Sequence, residues 1–244
     1  MERILIRLFP EAILRLVFLL FALSLPESSA AASPVRPAPP AVYLSAVPCI
    51  ADSLWPNNAV NRWQALALIE SLKGEILASP SATTSLEKWC GDHQLALEPK
   101  PVADAAMDAA PKPVSAEQRQ RLGVGPDEPV KYRHVRLRCG THVLSEADNW
   151  YVPSRLTPEM NRALETSDAP FGRVVRPLEP YRRTFVAKIL WSPLSVPTTA
   201  AAIDVPQELF EHRAVLYTKE HLPFSEVDEI YQHDALDFQP TESQ

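Results

Sequence analysis

The stretch Leu144-Ser-Glu-Ala-Asp-Asn-Trp-Tyr-Val-Pro153 holds a dense run of side chains able to do chemistry. Residues two apart on a strand share a face, so Glu146, Asp148 and Trp150 point together. Two acids beside an indole can grip a cationic or hydroxylated ligand; the same trio also makes an ordinary charged solvent face. Ala147, Asn149 and Tyr151 take the other side. The six histidines are His93, His134, His142, His212, His221 and His233, and none stands at metal-ligand spacing from a second ligand. There is no GxSxG elbow, no HExxH and no phosphate-binding glycine loop. With 6 Gly against 25 Pro, the loops are stiff rather than able to wrap a phosphate. No metal and no cofactor are expected.

The 244 residues carry a net charge of −6, which excludes the basic face a nucleic-acid partner needs. The composition, 46% hydrophobic and 22% charged, is that of a globular domain with its own core. Residues 1–32 read as a secretory signal. Arg3, Arg7 and Arg15 precede or flank the apolar run Leu16–Leu25, Pro26 breaks it, and Ser29-Ala-Ala-Ala32 offers a cleavage site. The run falls short of the ~20 apolar residues that span a bilayer. The expected location is therefore the periplasm or the exterior, with an uncleaved N-terminal anchor as the alternative and no stable span after cleavage. All three cysteines survive cleavage: Cys49, Cys90 and Cys139. In an oxidising compartment two can pair. Cys49 with Cys90 is the favoured pair, since both lie in the helical N-terminal part; three buried thiols is the alternative.

Residues 33–58 form a Pro-rich linker and N-terminal extension, 59–236 a single α+β domain, and 237–244 a tail. Over 59–77, Trp63, Leu66, Ile69, Leu72 and Ile76 recur at helical spacing and predict a helix buried along that stripe. A second helix is expected from Thr84, where Thr84 and Glu87 fit a capping box. Residues 98–130 allow only a short helix near Ser115–Leu122. From 130 the pattern turns to strands, with a hairpin over Val130–Cys139 and Val143–Val152. Val135 and Leu137 share one face, and Arg133 and Arg138 are expected in solvent. Thr157-Pro158-Glu159 starts a helix that runs to about Glu165. The remaining strand candidates are 173–176, 184–191, 212–218 and 223–231. Helices first and antiparallel strands later mean α+β rather than alternating βαβ.

Several stretches, taken in order, resemble the chorismate lyases. Ser81-Ala-Thr-Thr-Ser-Leu-Glu87 is similar to that family's early helix opening. Tyr132–Cys139 and its return strand to Pro153 are similar to its central hairpin. Ala169-Pro-Phe-Gly-Arg173 is similar to a ligand-contacting loop, and Arg213–Tyr217 followed by Ser225-Glu-Val227 to its last hairpin. The resemblance implies an antiparallel sheet with helices packed on one face, enclosing an apolar pocket where chorismate loses pyruvate without a cofactor. It carries the catalytic Glu onto Glu226, as an acid in an apolar pocket. It carries the carboxylate-binding Arg onto His134, a weaker anion anchor. Arg136, two residues on, shares that face and can take over. Phe171 and Gly172 fall on the ligand loop. Three functions follow as expectations: elimination from chorismate or a related enol or aromatic carboxylate; non-catalytic periplasmic binding of a small aromatic or carboxylate ligand; and an envelope-assembly role with a vestigial pocket. Export weighs against the first, because chorismate is a cytosolic metabolite.

Overall fold

The computed structural model describes residues 55–105 and 110–238. The leader, most of the linker and Cys49 lie outside them. The described chain folds around one six-stranded, fully antiparallel sheet. Its strands are β1 (Val102–Ala105), β2 (Lys131–Cys139), β3 (His142–Tyr151), β4 (Tyr181–Ile189), β5 (Glu208–Tyr217) and β6 (Pro223–Gln232), in the spatial order β1-β2-β3-β6-β5-β4. The helices are α1 (Ala59–Ala78), α2 (Ala82–Asp92), α3 (Ala116–Leu122), α4 (Pro158–Thr166) and α5 (Phe171–Val174). The α+β class and the antiparallel sheet are as expected.

Helix α1 buries Ala65, Ile69, Leu72 and Ile76. Trp63, expected on that stripe, is 61% exposed. Ala65 takes its place because the helix can sit closest to the sheet where the side chain is smallest. Helix α2 starts three residues earlier than expected. Ser81 is its N-cap, accepting a hydrogen bond from the Thr84 amide at 3.4 Å, so Thr84 lies inside the helix. The hairpin of β2 and β3 turns on Gly140, whose φ of +58° only glycine adopts freely. Helix α3 has the two-way cap of Ser115 and Gln118 and ends on Gly123 in the left-handed region. The predicted strand at 173–176 is instead helix α5 and its exit. Pro170 sets the chain at its N-cap, and Phe171 and Val175, four apart, bury one helical face. Strand β1, inside the segment with no clear pattern, pairs with β2 at the sheet edge.

The main core lies between α1, α2 and one sheet face, and includes Trp55, Ile69, Leu72, Leu86, Trp89, Phe210 and Tyr231. A second cluster under α4 and α5 joins Tyr151, Met160, Phe171, Leu216 and Phe224 on the same face. Among the described helices, α3 alone lies on the reverse face, where Leu122 packs on Val152 and Val215. Cys90 of α2 is bonded to Cys139 of β2, with 6.3 Å between their Cα atoms. This corrects the expected Cys49–Cys90 pair. Sequence proximity favoured two cysteines of the N-terminal part, whereas the fold lays α2 across the far end of β2.

Candidate functional site

A small cavity of about 40 Å³ opens between the sheet and the first turn of α2. Its floor is Val135 and Leu137 of β2, Ala147 and Asn149 of β3, and Val227 and Glu229 of β6. Its roof is Ser81, Ala82 and Thr83 of α2 with Phe171 and Gly172 of α5. A water-sized group takes roughly 10–15 Å³ on this measure, so a group of about three heavy atoms fits. Pro80, Ser81, Gly172 and Pro180 are shared with an outer cleft of about 530 Å³, which Thr84, Arg176 and Glu179 also line. Gly172 makes the join possible. A Cβ there would lie 2.7 Å from Ser81 Oγ and 2.9 Å from Thr83 Oγ1, so a side chain would force these two hydroxyls to turn away.

Arg182 and Glu229 line the cavity, and Tyr231, Arg133 and His212 are buried on the same face of the sheet beside it. Arg182 of β4, its side chain 5% exposed, donates to Glu229 Oε2 at 2.6 Å, and the Tyr231 hydroxyl donates to the same oxygen at 3.0 Å. Burial works against the Arg182 charge, but Glu229 and Tyr231 more than offset it and hold the guanidinium above its ordinary value. Arg182 Nε has no acceptor. Arg133 sits cross-strand from Asn149 and is 8% exposed. It gives one hydrogen bond to the Ala169 carbonyl at 3.3 Å, while its Nη1 has no acceptor. With no carboxylate beside it, burial lowers its proton affinity. His212, across from Glu229, is fully buried between Phe210 and Tyr231. Burial takes its pKa down to about 4, so it is neutral near pH 7. This face thus buries two guanidinium groups, Arg133 and Arg182, against one carboxylate, Glu229.

Of the residues singled out in the sequence, Phe171 and Gly172 line this cavity. Glu226, His134, Arg136, Glu146, Asp148 and Trp150 do not. They project from the reverse face of the sheet, by the two-residue alternation that sends Val135, Ala147, Asn149 and Val227 into the cavity. Glu226 is buried there, and Arg121 of α3 holds it in a two-pronged pair at 2.8 Å on both oxygens. An acid so held is a structural anchor for α3, not a proton donor to a ligand on the other side. Asp148 accepts from Tyr132 at 2.5 Å, meets His134 Nδ1 at 2.8 Å and pairs with Lys112. Burial opposes its charge, yet these three contacts win and hold its pKa low. Arg136 is spent on Glu146 at 2.8 Å, and Trp150 Nε1 donates to the Lys112 carbonyl at 3.1 Å. The acids and indole of this strand therefore pair among the protein's own groups. The expected solvent position of Arg133 is also corrected: it has the parity of Val135 and Leu137 and is buried with them. That alternation was the available signal, as it was for Glu229 beside Val227 and Tyr231. Arg182 had no such signal, because β4 begins at Tyr181, ahead of the expected strand.

The reverse face yields a pH prediction. Asp228 stands across from Asp148, pairs with Arg213 at 3.3 Å, and leaves Oδ1 buried without a donor. Burial pushes its pKa up to about 6, with the Glu211 and Asp148 charges adding and Arg213 and Lys112 opposing. A carboxyl raised in the folded state costs nothing below its unfolded value; the cost grows from there up to the folded value and is complete above it. Asp228→Asn is expected to stabilise the fold by about 1–2 kcal/mol at pH 8 and by nothing measurable at pH 3. Urea melts at the two pH values check this; an equal effect at both would refute it.

No protein-family model matches the sequence. Among solved structures, the chain is similar to the effector domain of PhnF from Mycobacterium smegmatis, at 13% identity over 64% of this chain and 90% of that one, with a TM-score of 0.42. It is similar to YydK from Bacillus subtilis at 14% identity, 59% and 64% coverage and a TM-score of 0.38. It is also similar to a GntR-family transcriptional regulator from Enterococcus faecalis, at 12% identity, 59% and 96% coverage and a TM-score of 0.34. Far closer in sequence is a protein of Sinorhizobium fredii, 42% identical over 212 residues, which span 81% of this chain and 90% of that protein. The chain belongs to the family of that protein, the uncharacterised y4mC of Sinorhizobium fredii.

Proposed function

We propose that this chain is an exported, divergent relative of the chorismate lyases that binds a small carboxylate-bearing molecule without transforming it. The observation that carries this reading is Arg133, a buried guanidinium with a free donor and, among the described residues, no carboxylate partner; it lies behind the cavity lining, cross-strand from the floor residue Asn149. A buried cation without a counter-charge is costly, and an anionic ligand offsets that cost. The inner cavity has room for the carboxylate, and the outer cleft has room for the body of the molecule, aromatic or otherwise. Elimination of pyruvate needs an acid free to give a proton. Glu226 faces away, and Glu229 is committed to Arg182 and Tyr231. Export is supported by the Arg-flanked apolar leader and by the Cys90–Cys139 bond, which suits an oxidising compartment.

The test uses the chain from residue 33 with benzoate, 4-hydroxybenzoate and chorismate. An acid that binds, present at a hundredfold excess over its Kd, stabilises by ~2.7 kcal/mol and should raise Tm by roughly 5–10 °C. Arg133→Met should abolish the shift, and Glu226→Gln should leave it intact. No shift with any of the acids, or an undiminished one in Arg133→Met, defeats the binding reading. Release of 4-hydroxybenzoate from chorismate would restore the enzymatic one.

A further inference from the structure

The cavity and the disulfide lie on the same pair of surfaces. On α2, Thr83, Leu86 and Cys90 recur at three, four and seven residues and so share one helical face. On β2, Val135, Leu137 and Cys139 alternate on one strand face. Thr83, Val135 and Leu137 bound the cavity, and Cys90 and Cys139 join the same two faces about 10 Å further along the helix. The first turn of α2 is capped by Ser81 and held to the rest of the molecule by burial of Ala82, Thr83 and Ser85, with no covalent tie of its own. At the bonded end, Trp89 adds one hydrogen bond, to the Ala235 carbonyl at 2.8 Å.

We propose that the Cys90–Cys139 disulfide is a redox clamp on the site: it presses α2 onto β2 so that residues 81–83 keep the cavity's roof, and reduction releases that roof. The inference rests on the binding reading for its purpose and adds control of that site by a thiol reductant. The chemistry is ordinary exchange with a dithiol. One dithiol sulfur attacks Cys90 or Cys139 Sγ, the protein S–S bond breaks, and a mixed disulfide forms. The second dithiol sulfur then displaces the protein sulfur. The protein gains two thiols and the reductant becomes a disulfide. Both cysteines are fully buried, so the dithiol reaches them only when α2 lifts from β2. Ligand and clamp are therefore linked: what holds the roof shut slows reduction, and reduction weakens what the roof holds.

Amide hydrogen exchange tests the clamp without any ligand. The full chain from residue 33, carrying Cys49→Ser to prevent thiol scrambling, is compared with and without dithiothreitol. Reduction is expected to accelerate exchange of segment 81–90 at least tenfold more than that of segment 208–232, whose amides follow the loss of global stability. An unchanged segment 81–90, or an equal acceleration of both segments, overturns the proposal, since the bond would then be inert or only a global staple. Should the reduced chain unfold, both states are measured in sucrose, which is excluded from protein surface and restores the folded state, against the same two outcomes. Failure of the benzoate shift would remove the ligand but not this localised exchange, so the two readings fall separately.

Discussion

Cys90→Ala/Cys139→Val is expected to unfold about 4 kcal/mol more easily than the oxidised parent, the loop entropy released when a cross-link closing 49 residues is lost. The bond ties the second helix to a strand on the far side of β1 and the 106–130 connection, so the unfolded chain gains much freedom when it is gone. The replaced atoms sit in the main core beside Leu86, Trp89 and Leu137, and the Ala and Val pair keeps their summed volume, so the packing penalty stays small. The measurement is a urea melt of each protein, with the parent also melted under dithiothreitol. The reduced parent and the variant should coincide. A variant within about 1 kcal/mol of the oxidised parent would falsify the staple, because 0.5–1 kcal/mol is what a mild core change alone costs.

Arg182→Met should cost about 3–5 kcal/mol, because it leaves the Glu229 carboxylate buried beside Tyr231 without its cation. The effect should exceed that of Glu229→Gln, whose neutral amide still accepts from Arg182 and Tyr231. Combining Arg182→Met with Glu229→Gln should recover most of the loss, since no charge is then stranded. A double-mutant cycle in urea gives the coupling. Additive single effects would mean that the pair is solvated in solution and not a floor of the cavity.

How far the site could be read from the chain is best judged strand by strand. On β2 and β3 the alternation was readable, and it correctly placed Glu146, Asp148 and Trp150 together and His134 with Arg136. The resemblance then drew Glu226 and a cation of β2 into one pocket. They do share a face of the sheet, but it is the face away from the cavity. A one-residue difference in parity moves a side chain through the sheet, so a short motif aligned one position off exchanges the ligand side for the structural side. His134 stands where Arg133 would have been the better reading. Loop residues were less sensitive: Phe171 and Gly172 reach the cavity because α5 caps it end-on. For α1 the stripe was right at Ile69, Leu72 and Ile76 and failed only near the start of the helix, where Ala65 is buried and Trp63 is exposed.

What the amino-acid order determined alone is the class of fold: the helices, with the cap at Thr157, and the antiparallel strand pairs on either side of Gly140 and residues 218–222. Periodicity and capping are local, so they survive without knowledge of neighbours. Which face of the sheet the helices cover, which cysteine Cys90 meets, and whether a buried charge finds a partner were decided by the tertiary structure. Each of these depends on which of two faces a distant helix chooses to shield from water, and a strand with charged and apolar residues on both sides records no preference until that helix is in place.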